Sequence, residues 1–126
     1  MKKLLTALLL GAATLLFQQV HAHGNLEPDH PGGVVQLIGD LSFELVPTAG
    51  GVELYVEEDN EDSPSEGTTA KLTIYAGSVK TESLMVPAGG NKLVANGVKI
   101  PRGAKVAVLL TRKDKVTKVG ANFTIK

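Results

Sequence analysis

The chain has 126 residues, a formal net charge of zero, no cysteine and no tryptophan. The missing cysteines exclude disulfides, thiolate metal sites and cysteine nucleophiles. The length suits one small domain, and its stability must then come from an apolar core alone.

The N-terminus has the pattern of a secretory signal. Lys2 and Lys3 precede an apolar run over residues 4–17, and Val20 and Ala22 suit the −3 and −1 positions of a signal-peptidase site. The run is shorter than the roughly 20 residues needed to span a bilayer. We therefore expect a signal peptide over residues 1–22, cleavage before His23, and a periplasmic protein.

Charge is distributed unevenly along the expected mature chain. Residues 23–70 contain no lysine or arginine, whereas from Lys71 onward the only acids are Glu82 and Asp114. The favoured interpretation is that strands of opposite charge interleave and neutralise each other. If the signs separate in space instead, the surface is dipolar and suits a charged partner.

The first half of the domain reads as β-strands. Residues 34–38 form a short strand, and residues 41–46 and 52–57 alternate apolar and polar side chains with the period of two that strands require. Glycines at the intervening turn predict antiparallel pairing of the last two. The alternation directs Glu44 and Glu53 to solvent, as ordinary surface carboxylates.

The second half continues the pattern. Residues 58–67 are polar and predict a solvated acidic loop, and strands are expected at residues 69–76, 79–86, 92–95, 104–111 and 119–125. Asn96 and Gly97 predict a tight hairpin turn that pairs residues 92–95 with residues 98–100. The result is an all-β fold, a small antiparallel β-sandwich of seven to eight strands over residues 34–126. Immunoglobulin-like and cupredoxin-like topologies both fit, and a closed or partly open small barrel is the alternative architecture.

The histidines indicate a metal site in the segment of residues 23–33. After cleavage, His23 would offer its α-amine and ring nitrogen, and His30 is the only other histidine that remains. Asp29 and Glu27 could add an oxygen ligand. Three nitrogens of this kind suit copper(II), with zinc or nickel as alternatives. The competing interpretation is a tail whose histidines bind nothing.

A resemblance supports the metal interpretation. Residues 30–46 resemble the His-Gly-Gly, aliphatic pair, Gly-Asp, aromatic, Glu-Leu pattern that opens a small β domain in heavy-metal efflux adaptor subunits. Pro31, between His30 and the two glycines, departs from it. Similar free-standing periplasmic proteins are found near metal-handling systems, and the start at His23 and Gly24 is similar to that of small periplasmic copper carriers. The resemblance implies His30 as a ligand.

Other functions have less support. No histidine lies outside the N-terminal segment to activate a nucleophile, so we expect no enzyme activity. Few aromatic residues accompany the basic half, so nucleic acid is not an expected partner. We therefore predict a copper(II) carrier, buffer or accessory of metal efflux or resistance, with an efflux-pump or other envelope protein as a further partner. The alternative is a metal-free immunoglobulin-like module that docks an envelope protein.

Overall fold

The computed structural model describes residues 26–126, which form nine strands. They are β1 (Val34–Ile38), β2 (Leu41–Thr48), β3 (Gly51–Glu58), β4 (Glu61–Asp62), β5 (Thr69–Ala76), β6 (Val79–Pro87), β7 (Lys92–Asn96), β8 (Lys105–Thr111) and β9 (Lys118–Thr124). Within that range no helix has the length and apolar character to cross a membrane. The expected signal peptide and its cleavage site lie outside the described residues.

The strands are antiparallel neighbours in the order β1-β2-β3-β7-β6-β5-β8-β9, with β4 paired to β3. Strands β1 to β4 and β7 form a first sheet, and β6, β5, β8 and β9 form a second. The end of β6 joins the two, because Val86 and Pro87 pair with β7. Since β1 also approaches β9, the two sheets nearly close into a barrel-like sandwich.

The core lies between the two sheets. Alternate residues of β2, β3, β5 and β8 point inward, and the largest fully buried side chains include Phe43, Leu54, Leu72 and Leu110. Burial of this apolar surface is the main stabilising contribution in a chain that has no disulfide. The predicted all-β antiparallel sandwich is therefore confirmed, as is the antiparallel pairing of β2 with β3.

Two local expectations are wrong. Asn96 and Gly97 do not form the turn of a hairpin with residues 98–100. Asn96 pairs with Gly51 instead, and the amide of Gly97 donates to the carbonyl oxygen of Gly50 at 2.8 Å. The acidic loop is partly a hairpin. Positive φ angles at Asp59 and Asn60 (54° and 66°) form a tight turn that returns the chain along β3 as β4.

Charge separates between the sheets, contrary to the favoured interpretation. The strands of the first sheet carry six acidic residues and one lysine, namely Glu44, Glu53, Glu57, Glu58, Glu61, Asp62 and Lys92. Those of the second carry four lysines and one acid, namely Lys71, Lys80, Lys105, Lys118 and Glu82. Each sheet is assembled largely from one half of the chain, so strands of opposite sign do not alternate.

Candidate metal site

The site is built where the segment before β1 folds back over the outer face of the first sheet. His30 begins a tight turn in which the amide of Gly33 donates to its carbonyl oxygen at 3.0 Å. Pro31 occupies the second position, and Gly32 the third with φ of 77°. These are the requirements of a type II turn, in which proline fixes one φ angle and glycine supplies the positive one. Pro31 is thus accommodated by the turn.

Glu44 lies beneath this turn and is only 6% exposed. Its Oε2 accepts the backbone N–H of His30 at 2.9 Å, and its Oε1 lies 2.8 Å from Nδ1 of the same residue. The expectation that Glu44 is a surface carboxylate is wrong. The alternation correctly directs it away from the core, but the turn covers that face and satisfies the buried charge with two hydrogen bonds.

Gly33 provides the space for this contact. A Cβ at position 33 would collide with the carboxylate of Glu44, although the backbone there is not in the left-handed region. The two adjacent glycines therefore act differently. Gly32 permits the turn, and Gly33 permits close approach of Glu44.

Tyr55 of β3 supports the imidazole from one side. Its ring stacks on His30 with centroids 4.0 Å apart and planes 13° from parallel. The Tyr55 hydroxyl donates to Oε1 of Glu53 at 2.9 Å. Burial raises the pKa of Tyr55 to about 12, and the hydrogen bond and negative charge of Glu53 contribute to the rise. The phenol is therefore neutral beside the imidazole at ordinary pH.

The same residues line a cavity of about 290 Å³ that is strongly acidic. Its carboxylates are Glu27, Asp29, Glu44, Glu57 and Asp62. Burial raises the pKa of Glu57 above its ordinary value, and repulsion from neighbouring carboxylates adds to the shift. Those neighbours are Asp29, Asp62 and Glu44. A cation in this cavity would relieve the repulsion.

Three of the four predicted ligands, His30, Asp29 and Glu27, line this cavity together. The fourth, His23, lies outside the described residues. Within residues 26–126, no three side chains of the metal-binding types are placed so that they could hold an ion. The predicted ligand set therefore stays a prediction.

Sequence reasoning missed Glu44 and Tyr55. The period of two places both on the outer face of the first sheet, and they pair directly across β2 and β3. The period of two gives no indication that residues 26–33 cover that face.

Comparisons with protein-family models, with curated proteins and with solved structures gave no significant match.

Proposed function

We propose that this chain is a periplasmic metal-binding protein that serves as a carrier, buffer or accessory in metal efflux or resistance. The proposed ligands are the amine and imidazole of His23 and the imidazole of His30. Asp29 or Glu27 is an additional oxygen ligand. Copper(II) is the expected metal because it has the highest affinity for such nitrogen donors, and zinc and nickel are the alternatives.

The observation that carries this proposal is the contact between His30 and Glu44. A carboxylate only accepts hydrogen bonds, so the ring proton of neutral His30 belongs on Nδ1, and the lone pair is left on Nε2. Histidines that bind metals generally donate their other ring N–H to a carboxylate in this way. Stacking on Tyr55 further restricts the ring, which lowers the entropy lost when it binds.

The charge of the cavity supports a cationic ligand. His30 shares its walls with carboxylates, and the only lysine on the strands of this sheet, Lys92, pairs instead with Glu53 at 3.6 Å. A field of one sign inside a cleft raises the local concentration of ions of the opposite charge.

His23 would complete the site. Only six residues lie between it and His30, so the linking chain spans at most about 25 Å, and it must turn back to bring both imidazoles to one ion. Pro28 restricts the link and reduces the entropy of closing it. The amine and ring of one N-terminal histidine can bind the same ion as a chelate, and Nε2 of His30 would then supply the third nitrogen.

The test is a calorimetric titration with copper(II) of protein exported and processed to begin at His23. A matched form carries one extra alanine before His23, and neither form retains a histidine tag. We expect one tight site in the processed form and a sharp loss of affinity in the extended form, because the terminal amine is displaced. Equally weak binding by both forms would contradict the proposed site.

A second candidate function is the docking of an envelope protein without metal. The acidic hairpin that ends in Glu61 and Asp62 favours it, since both carboxylates are exposed beside the end of β3. Docking of this kind would weaken with salt and with charge reversal at Glu61 and Asp62. It would be indifferent to an extra residue before His23, which separates it from the metal-binding proposal.

A further inference from the structure

Strand β6 has a free edge along residues 79–85. Residues 79–85 pair with β5 along one side. On the other side only Val86 and Pro87 have a partner, in β7, so the preceding stretch has no strand beside it within residues 26–126. An unpaired edge presents backbone N–H and C=O groups that can bind another strand.

The side chains of β6 are exposed on both faces. Met85 is its one buried residue, whereas Val79 and Leu84 are 62% and 64% exposed. The first sheet does not cover the start of β6, because it meets this strand only at Val86 and Pro87. Residues 79–85 of β6 therefore form a free edge seven residues long, with apolar side chains in water. Proteins usually protect such edges or use them for association.

We propose that β6 is a dimerisation strand, which pairs antiparallel with β6 of a second copy of this chain. The two-fold axis passes between the two Thr81 residues, perpendicular to the sheet. Each Lys80 then faces Glu82 of the other copy, and the threonines face each other. Opposite charges and paired threonines are favourable cross-strand neighbours.

Charge selects this register over its neighbours. Centring the pair on Lys80 would place the two lysines opposite each other, and centring it on Glu82 would do the same with the two carboxylates. Like charges directly opposite are unfavourable. Centring it on Ser83 would place Lys80 opposite Val86 and Glu82 opposite Leu84. Only the Thr81 register pairs both charged residues with opposite charges.

Two-fold pairing through β6 would join the two copies through their second sheets. The second sheets of two copies would continue into one sheet of eight strands. Because the candidate metal site lies on the first sheet, it would remain open in both copies. The dimer does not depend on the proposed metal function.

The experiment is sedimentation equilibrium of the processed wild-type protein over a concentration series, with the charge reversals Lys80→Glu and Glu82→Lys. We expect a monomer–dimer equilibrium in the wild type. The dimer of each single variant should be at least about tenfold weaker than that of the wild type, because both cross-strand charge pairs become repulsive. Lys105→Glu is the matched control: it makes the same reversal on β8, away from the edge, and should dimerise as the wild type does.

Mixing the two single variants provides the decisive result. The new glutamate at position 80 of one chain would face the new lysine at position 82 of the other, and both pairs would again be attractive. We expect the mixture to form heterodimers with wild-type affinity, which also shows that both variants are folded. A monomeric wild type, unchanged dimerisation in the single variants, a mixture that stays monomeric, or masses that grow beyond two chains would overturn the proposal.

Discussion

The Nδ1 atom of His30 lies 2.8 Å from Oε1 of Glu44, a carboxylate buried beneath the turn that His30 begins. The backbone amide of the same histidine donates to the other oxygen of that carboxylate. One side chain therefore fixes both the path of the N-terminal segment and the tautomer of its imidazole. The stability of the turn and the proposed metal chemistry depend on the same contact.

Glu44→Gln is expected to weaken copper(II) binding about 10- to 100-fold, the usual cost of losing the carboxylate behind a metal-binding histidine. The measurement is calorimetric titration of the processed protein. Glu53→Gln removes the same charge from the same face without touching His30, so it should have a much smaller effect. Equal losses of copper(II) affinity in the two variants would show that the affinity depends on the negative charge of this face and not on the contact between Glu44 and His30.

Gly33→Ala is expected to lower the free energy of unfolding by about 1–3 kcal/mol, because the added methyl group overlaps the carboxylate of Glu44. Denaturant unfolding measures the change. Gly50→Ala is the matched control, since a Cβ there meets nothing within 4 Å and its φ angle is not positive. The double variant Gly33→Ala, Glu44→Ala should lose less free energy of unfolding than the two single variants lose together, because without the Glu44 side chain there is no clash. Strict additivity would contradict this account.

Tyr55 is expected to ionise with a pKa of about 12, which a spectrophotometric titration of Tyr75→Phe measures on a single tyrosine. Adding Glu53→Gln should lower that pKa. Because the unfolded phenol ionises near 10, the unfolded state releases its proton first. The free energy of unfolding should therefore fall as the pH rises from about 10 to about 12. A midpoint near 10 in the folded protein would contradict the described environment.

Asp114 is expected to titrate at a pKa of about 2, observable by NMR of its carboxyl carbon. The Thr117 hydroxyl donates to Oδ2 at 2.5 Å, and the amides of Thr117 and Val116 donate to Oδ1. This contribution to stability is present above the unfolded pKa near 3.9 and is lost as the pH falls through 2. Thr117→Val should raise the pKa, whereas Thr124→Val, outside the turn, should leave it unchanged.

Much of the fold could be predicted because strand periodicity is a local property. The alternation in β2 and β3 and the breakers at Gly39 and Asp40 define elements that the structure contains. The failure at Asn96 has a tertiary cause. Its hairpin signal is real, but pairing of Asn96 with Gly51 extends the sheet, while Val98 and Ile100 pack against the core. A propensity for one turn was outweighed by packing.

The site was less predictable because it depends on a segment that crosses a sheet. Periodicity tells which way Glu44 points, and it contains no information about what lies above it. His30 could be selected from its chemistry and its place in the chain, whereas the partner beneath it required the register of β1 with β2. The separation of charge between sheets likewise follows from strand order, which a strand pattern does not determine.

The most direct test of the metal site is pulsed electron paramagnetic resonance of the processed protein loaded with one equivalent of copper(II). We expect nitrogen couplings from two imidazoles in the wild type and from one in His30→Asn, since His23 and His30 would each supply a ring. Unchanged couplings in His30→Asn, or a single imidazole in the wild type, would contradict the claim that Glu44 positions His30 as a metal ligand.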